Sequence, residues 1–275
     1  MSDVSPREQR APVDGAPVAA KEFNRAIDVQ VISRAADILN AIGDHPGGLS
    51  LAQIAAQSKL SRSTVHRIVV ALCRKDFVRA TDAGYKLGPA LLRLADASRS
   101  NFEASLRPYL VDLSHALRET VDLSVLTGST VTFVDQVIAP RRLRAVSATG
   151  LSFPLHCTAP GKAVLASIGD ESVEKVLPER LERFTPETLT DRDALEVELR
   201  EVRRSGVAFD REEHTPGICA VGASLRAPDR SWYAISVPLP AQRFYGQEAR
   251  LVEALVATID RINLEQDLNE GLVSE

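Results

Sequence analysis

Ser61, Arg62, Ser63, Thr64, His66, Arg67 and Arg74 crowd hydroxyls and guanidiniums into the stretch SRSTVHRIVVALCR. A hydroxyl can bond a phosphate or a base edge, and an arginine can pair bidentately with guanine. The chemistry these residue types fit is therefore recognition of a DNA groove. Ser50 stands as an N-cap with Gln53 three residues on, so the spacing predicts a helix from Leu51 that buries Leu51, Ile54 and Ala55. Ser61 offers a second N-cap, after which Val65, Ile68, Val69 and Leu72 recur at helical spacing as a buried stripe. Ser63, Arg67, Val70 and Arg74 fall on the opposite face, with Arg62, Thr64 and His66 beside them at the N-terminal end, the end that meets bases in helix-turn-helix complexes. Phe77–Ala80 and Tyr85–Leu87 then read as two short strands of a wing, from which Arg79 and Lys86 would reach the sugar-phosphate backbone. The alternative is an ordinary helical hairpin whose charges are simply solvated.

At 275 residues, 44% hydrophobic and with a mean hydropathy of −0.07, the chain has the length and composition of a soluble two-domain protein. No apolar run approaches the roughly 20 residues of a membrane span, and the N-terminus lacks the pattern of a secretory signal. Cys73, Cys157 and Cys219 have no CxxC spacing, which argues against a disulfide framework or a zinc finger and fits a reducing cytoplasm. The net charge of −4 is unevenly distributed: residues 21–105 carry 12 Lys and Arg against 8 Asp and Glu, whereas residues 106–275 carry 19 against 26. A basic module on an acidic body would approach DNA through the module alone.

The expected organisation is a tail over 1–22, a winged helix-turn-helix domain over 23–88, a linker helix over 89–105, and an α/β domain over 106–275, an α+β chain as a whole. Ser33–Ile42 supplies the first helix. In the last domain, helices are expected at 106–117, 161–168, 189–204 and 251–264, and strands at 121–126, 130–137, 207–210, 220–226 and 232–237. The chain has no GxxxxGK[ST], GxGxxG or HExxH motif.

From about Val31 to Asn263 the chain resembles the IclR-type transcriptional regulators. The likeness rests on SRAADILNAI, LAQIAAQSKLSRSTVHRIVVAL and YKLG in the first part, then on FPLHCTAPGKAVLA at 153–166, GVAFDREEHTPGICAVGASL at 206–225 and AISVPLP at 234–240. The resemblance implies a repressor or activator whose C-terminal domain is GAF-like and binds a small effector, often an organic or aromatic acid. It also implies a homodimer or dimer of dimers on a palindromic operator.

Thr158, Ala159, Pro160, Gly161 and Lys162 place small residues at a helix start, where free amides and the helix dipole would suit a carboxylate; a plain turn using the backbone freedom of Gly161 is the alternative. By the resemblance, the opposing wall would come from Asp210, Cys219 with Ala220, and Ser236. Two positions depart from the family pattern. The position that often carries cysteine falls on Ala220, with Cys219 one residue earlier, and Pro238 replaces a small polar residue. A rival reading takes His156–Cys157, or Asp210 with Glu212, Glu213 and His214, as a thiol nucleophile or metal ligands of an enzyme with an accessory DNA-binding module. Neither pattern is specific, so no catalytic residue, metal or cofactor is expected.

Overall fold

The computed structural model describes residues 30–274, the side chains of 269–274 excepted; the expected tail and residues 23–29 lie outside the described residues. The chain forms two compact units, one ending at Asp96 and the other spanning Ala97–Ser274.

The first unit contains α1 (Gln30–Gly43), α2 (Leu51–Ser58), α3 (Arg62–Arg74) and an antiparallel hairpin of β1 (Val78–Thr81) and β2 (Gly84–Leu87). Ser50 and Gln53 form a reciprocal capping box at the start of α2, and Lys59 in the left-handed region ends that helix. Ser61 then caps α3 through the Thr64 amide at 3.2 Å. Ile54, Val65 and Val69 pack with Ile38 and Ile42 beneath the pair. Only Asp82 and Ala83 separate the paired Thr81 and Gly84, a tight turn with Gly84 at φ 110°. A bridge between Leu49 and Tyr85 ties the wing to the entrance of α2.

The expected linker helix and the helix after it are one element, α4 (Pro89–Leu117), which runs through Pro108. Proline removes one helical hydrogen bond, but Leu106, Leu110, Leu113 and Leu117 all bury on one stripe, and that packing carries the helix past it.

The second unit is built on β3 (Val121–Thr127), β4 (Thr130–Val137), β5 (Ser152–Pro154), β6 (Ala208–Arg211), β7 (Ile218–Arg226) and β8 (Trp232–Pro240), all antiparallel in the order β5-β4-β3-β8-β7-β6. The helices are α5 (Ala159–Ile168), α6 (Asp170–Val176), α7 (Arg192–Ser205), α8 (Ala241–Phe244) and α9 (Glu248–Ser274). Strand β5 and helices α6 and α8 are too short to leave a periodic signal. Asp191 caps α7, its side chain accepting from the Ala194 amide.

Strand alternation divides this unit into two layers. Val121, Leu123, Cys219, Val221, Ala223, Tyr233, Ile235, Val237 and Leu239 face the core shared with α4 and α9. On the other side Ala163, Val164 and Leu165 of α5 pack with Leu195 and Leu199 of α7 and with Ala234. Gly222 permits the close seat of α5, since a Cβ there would stand 2.8 Å from the Ala159 carbonyl carbon.

Candidate functional site

Two surfaces collect the chemistry anticipated from the sequence, one in each unit. On the first, Ser61, Arg62, Ser63, His66, Arg67 and Arg74 are exposed, while Thr64 and Lys86 are half-buried. The Ser61 hydroxyl lies 3.1 Å from that of Ser63 and 2.9 Å from that of Thr64, so the cap orders three hydroxyls at the start of α3. Arg67 and Thr64 also border an apolar groove between α1 and α3, lined by Val31, Ile32 and Ile68. On the wing, Arg79 and Lys86 are direct cross-strand partners, an arrangement of like charges that destabilises a bare hairpin. Among the described residues, every salt bridge lies in the second unit, so the cations of this surface are unpaired.

In the second unit, a cavity of about 270 Å³ opens over the α5 side of the sheet. Its floor follows two cross-strand rows: Asp210 opposite Ala220 opposite Pro238, and Gly222 opposite Ser236 opposite Asp122. Phe133, Phe153, Thr158, Pro160, His214, Thr215 and Ile218 add to the wall, as does the loop segment Arg144–Ser147. The loop that carries this segment is pinned to β3 and to the turn before it. Ser147 Oγ donates to Asp122 Oδ2 at 2.7 Å, the Ala139 amide to Thr120 Oγ1 at 3.2 Å, and Arg141 Nε to the Arg118 carbonyl at 2.8 Å.

Of the residues singled out from the sequence for this pocket, Thr158, Pro160, Asp210, Ala220 and Ser236 line the cavity, whereas Ala159, Gly161, Lys162 and Cys219 do not. Each exclusion has a physical cause. Cys219 belongs to the strand face turned to the α4–α9 core, and the one-residue step to Ala220 reverses side-chain direction. Lys162 is fully buried, with Nζ 2.6 Å from Glu213 Oε1 and 2.9 Å from Glu198 Oε1. At the start of α5, Pro160 has no N–H, the Gly161 amide donates to Thr158 Oγ1 and the Lys162 amide to the Thr158 carbonyl. Gly161 is not at positive φ, and its requirement is close packing: a Cβ there would lie 2.4 Å from the Leu155 carbonyl oxygen. Gly161→Ala should therefore lower stability by about 1–3 kcal/mol through overpacking, read from the midpoint of a urea titration.

Asp122 is the wall residue a sequence pattern could have found. It is a charged residue alternating with Val121, Leu123 and Val125, which marks a polar position on an otherwise buried strand. Arg144–Ser147 sit in a loop without periodicity and carry no such signal.

The cavity's electrostatics are dominated by desolvation. Burial pushes Asp210 up to about 7, with the charge of Glu213 adding to the rise, and pushes Asp122 up to about 6 against the hydrogen bonds from Ser147 and Gln136. Burial holds His214, stacked between Phe153 and Phe184, below its ordinary value. The thiol of Cys157 is raised far above its usual range by burial and by Asp210 and Glu213, and that of Cys219 to about 11. A nucleophilic cysteine needs the opposite shift. His156 is occupied with the Glu182 carbonyl at 2.9 Å, and the described residues contain no cluster of His, Cys, Asp and Glu fit to hold a metal.

Residues 95–264 match the family model described as bacterial transcriptional regulator IclR C-terminal, and residues 31–82 match the IclR helix-turn-helix domain. The chain is 49% identical over 247 residues to the HTH-type transcriptional regulator Rv1719 of Mycobacterium tuberculosis, covering 89% of this chain and 95% of that protein. It is 38% identical over 253 residues to the HTH-type transcriptional regulator TtgV of Pseudomonas putida, covering 91% and 96%. Among solved structures, the Thermotoga maritima IclR aligns with a TM-score of 0.57 and 27% identity, over 86% of this chain and 98% of that one. No helix among the described residues is long and apolar enough to cross a membrane. With both family models matched in order along one chain, the protein belongs to the IclR family of transcriptional regulators, DNA-binding proteins and not enzymes.

Proposed function

We propose that this chain is a cytoplasmic regulator that binds a palindromic operator as a homodimer or dimer of dimers, and that a small effector in the cavity of the second unit controls that binding. The observation that carries the DNA-reading assignment is the exposed set Arg62, Arg67, Arg74 and Arg79, without an ion-pair partner among the described residues and placed beside the capped hydroxyls of Ser61, Ser63 and Thr64. Unpaired cations held at a helix start and on a wing are the arrangement that phosphates and base edges complete. The wing pair Arg79 and Lys86 contributes affinity without sequence information, and Arg67 contributes discrimination.

Asp210, Ser236 and Pro160 hold the effector, together with Asp122 and the loop that Ser147 fastens to Asp122 of β3 and Arg141 fastens to the turn between α4 and β3. Because α4 is one helix from Pro89 to Leu117, a change in that fastening acts on the end of an element that reaches into the DNA-reading unit. Two half-sites on one duplex demand a fixed spacing, so a small change in α4 alters affinity.

The test is a mobility-shift titration on an operator selected by the wild type from random-sequence DNA. Arg67→Ala should weaken specific binding by about 1–3 kcal/mol and relax the preference at one base pair. An unchanged affinity would remove Arg67 from base reading.

A further inference from the structure

A second hollow in the Ala97–Ser274 unit, of about 290 Å³, shares no lining residue with the cavity over α5. Three arginines from three elements line it: Arg141 from the loop between β4 and β5, Arg243 from α8 and Arg250 from α9. The one acidic residue in the lining is Glu119, 4% exposed in the turn between α4 and β3. Its carboxylate is already engaged. Arg243 Nε and Nη2 each lie 2.7 Å from one of its oxygens, and Arg141 Nε stands 3.4 Å from Oε1. The lining therefore keeps two positive charges beyond those its own carboxylate neutralises. Residues 106–275 carry 19 Lys and Arg against 26 Asp and Glu, so these cations gather against the composition around them.

Their donors are not used up. Arg141 gives Nε to the Arg118 carbonyl at 2.8 Å, and Arg250 gives Nη2 to the Ala116 carbonyl at 2.8 Å. These bonds anchor two of the guanidiniums at the end of α4. Among the described residues, both terminal nitrogens of Arg141, Nη1 of Arg243, and Nε and Nη1 of Arg250 have no hydrogen-bond partner, and Arg250 has no salt-bridge partner. Arg141 and Arg243 approach the same carboxylate oxygen, so two like charges are held close together. An anion lying across the three guanidiniums relieves that repulsion.

Oxygen count and charge select among anions. A carboxylate offers two oxygens and one charge, enough for two guanidinium forks. A phosphate monoester carries three strong acceptor oxygens and close to two negative charges at neutral pH, which matches three forks and the surplus of two. Leu117, Leu239 and Leu251 supply an apolar side, and the volume lies at the small end of ligand sites. The rest of the ligand is therefore a small body of little charge.

We propose that this hollow is a second ligand site, selective for the phosphate group of a small monoester, with Arg141, Arg243 and Arg250 as its donors. It is independent of the reading of the cavity over α5 and stands if that reading falls.

The test is thermal unfolding of the full chain at neutral pH in inorganic phosphate and, separately, in succinate, with ionic strength held constant by sodium chloride. In wild type the midpoint should rise with the logarithm of phosphate concentration once the site begins to fill, and succinate should do little. Phosphate also stabilises proteins generally, by exclusion from their surface, but that effect does not saturate and is the same in every variant. Arg141→Gln and Arg250→Gln each remove one fork, and each should weaken phosphate at least about tenfold, as expected for a lost hydrogen bond between charged groups. Equal phosphate responses in wild type and both variants, no response in wild type, or succinate as effective as phosphate would each overturn the proposal. The DNA backbone presents the same group, and mobility shifts on the selected operator in phosphate-free buffer separate the two sources. Operator affinity should be unchanged in both variants, whereas a weakened operator complex would assign these arginines to the duplex and refute the small-ligand site.

Discussion

Lys162→Met is expected to destabilise the second unit by about 3–5 kcal/mol, because it leaves a buried carboxylate without its counter-ion. Lys162 is fully buried and its ammonium is the link between Glu213, itself 6% exposed, and Glu198, whose side chain is 30% exposed. Among the described residues Glu213 Oε2 has no partner, so Oε1, with the ammonium and the Arg211 amide, carries the compensation for the whole group. Once the cation is removed, Glu213 and the adjacent Asp210 become two desolvated like charges. Glu213→Gln should cost less, since Lys162 keeps Glu198, and the double variant Lys162→Met with Glu213→Gln should recover most of the single-variant loss. For a unit of this size the Lys162→Met midpoint should fall by of the order of 10 °C. A variant within about 1 kcal/mol of wild type in urea unfolding, or a double variant no better than Lys162→Met, would contradict this account.

The second large effect is in pH. Asp210 has a folded pKa raised from 3.8 to about 7 by burial and by Glu213. The folded state therefore holds its proton more tightly than the unfolded chain. The contribution to stability is fully present below the unfolded value of 3.8 and is lost as pH rises toward 7. Asp122, raised to about 6, acts in the same direction over a narrower window. His214 opposes both: its folded value is depressed, so its contribution is present above 6.5 and is lost on acidification. The Asp210→Asn variant isolates one group from this sum. Relative to wild type it should gain about 2–3 kcal/mol of stability between pH 5 and pH 8, measured as the difference between parallel urea titrations. A difference independent of pH would mean that Asp210 is not desolvated as the cavity geometry requires.

The reading of the first unit from sequence succeeded because its signals are local. A cap, a helical stripe and a two-residue turn each depend on residues within a few positions of one another, and Ser50, Ser61 and Gly84 specify their elements almost unaided. The long helix α4 was divided at residue 105 because its second half is held by leucines packing against the sheet, a contact distant in the chain.

In the second unit the sequence determined the family, most of the strands and five of the cavity residues, Thr158, Pro160, Asp210, Ala220 and Ser236. Tertiary structure alone decided the rest of the wall. Strand register set Ala220 toward the cavity and Cys219 toward the core. Packing of α5 against the sheet at Gly222 set Lys162 against Glu213 and Glu198 and outside the cavity lining. Folding also brought Ser147 from an aperiodic loop onto Asp122, 25 residues away in the chain. Local pattern encodes which face of an element is buried, whereas the partner each buried charge meets depends on how separate elements pack, which no spacing along the chain records.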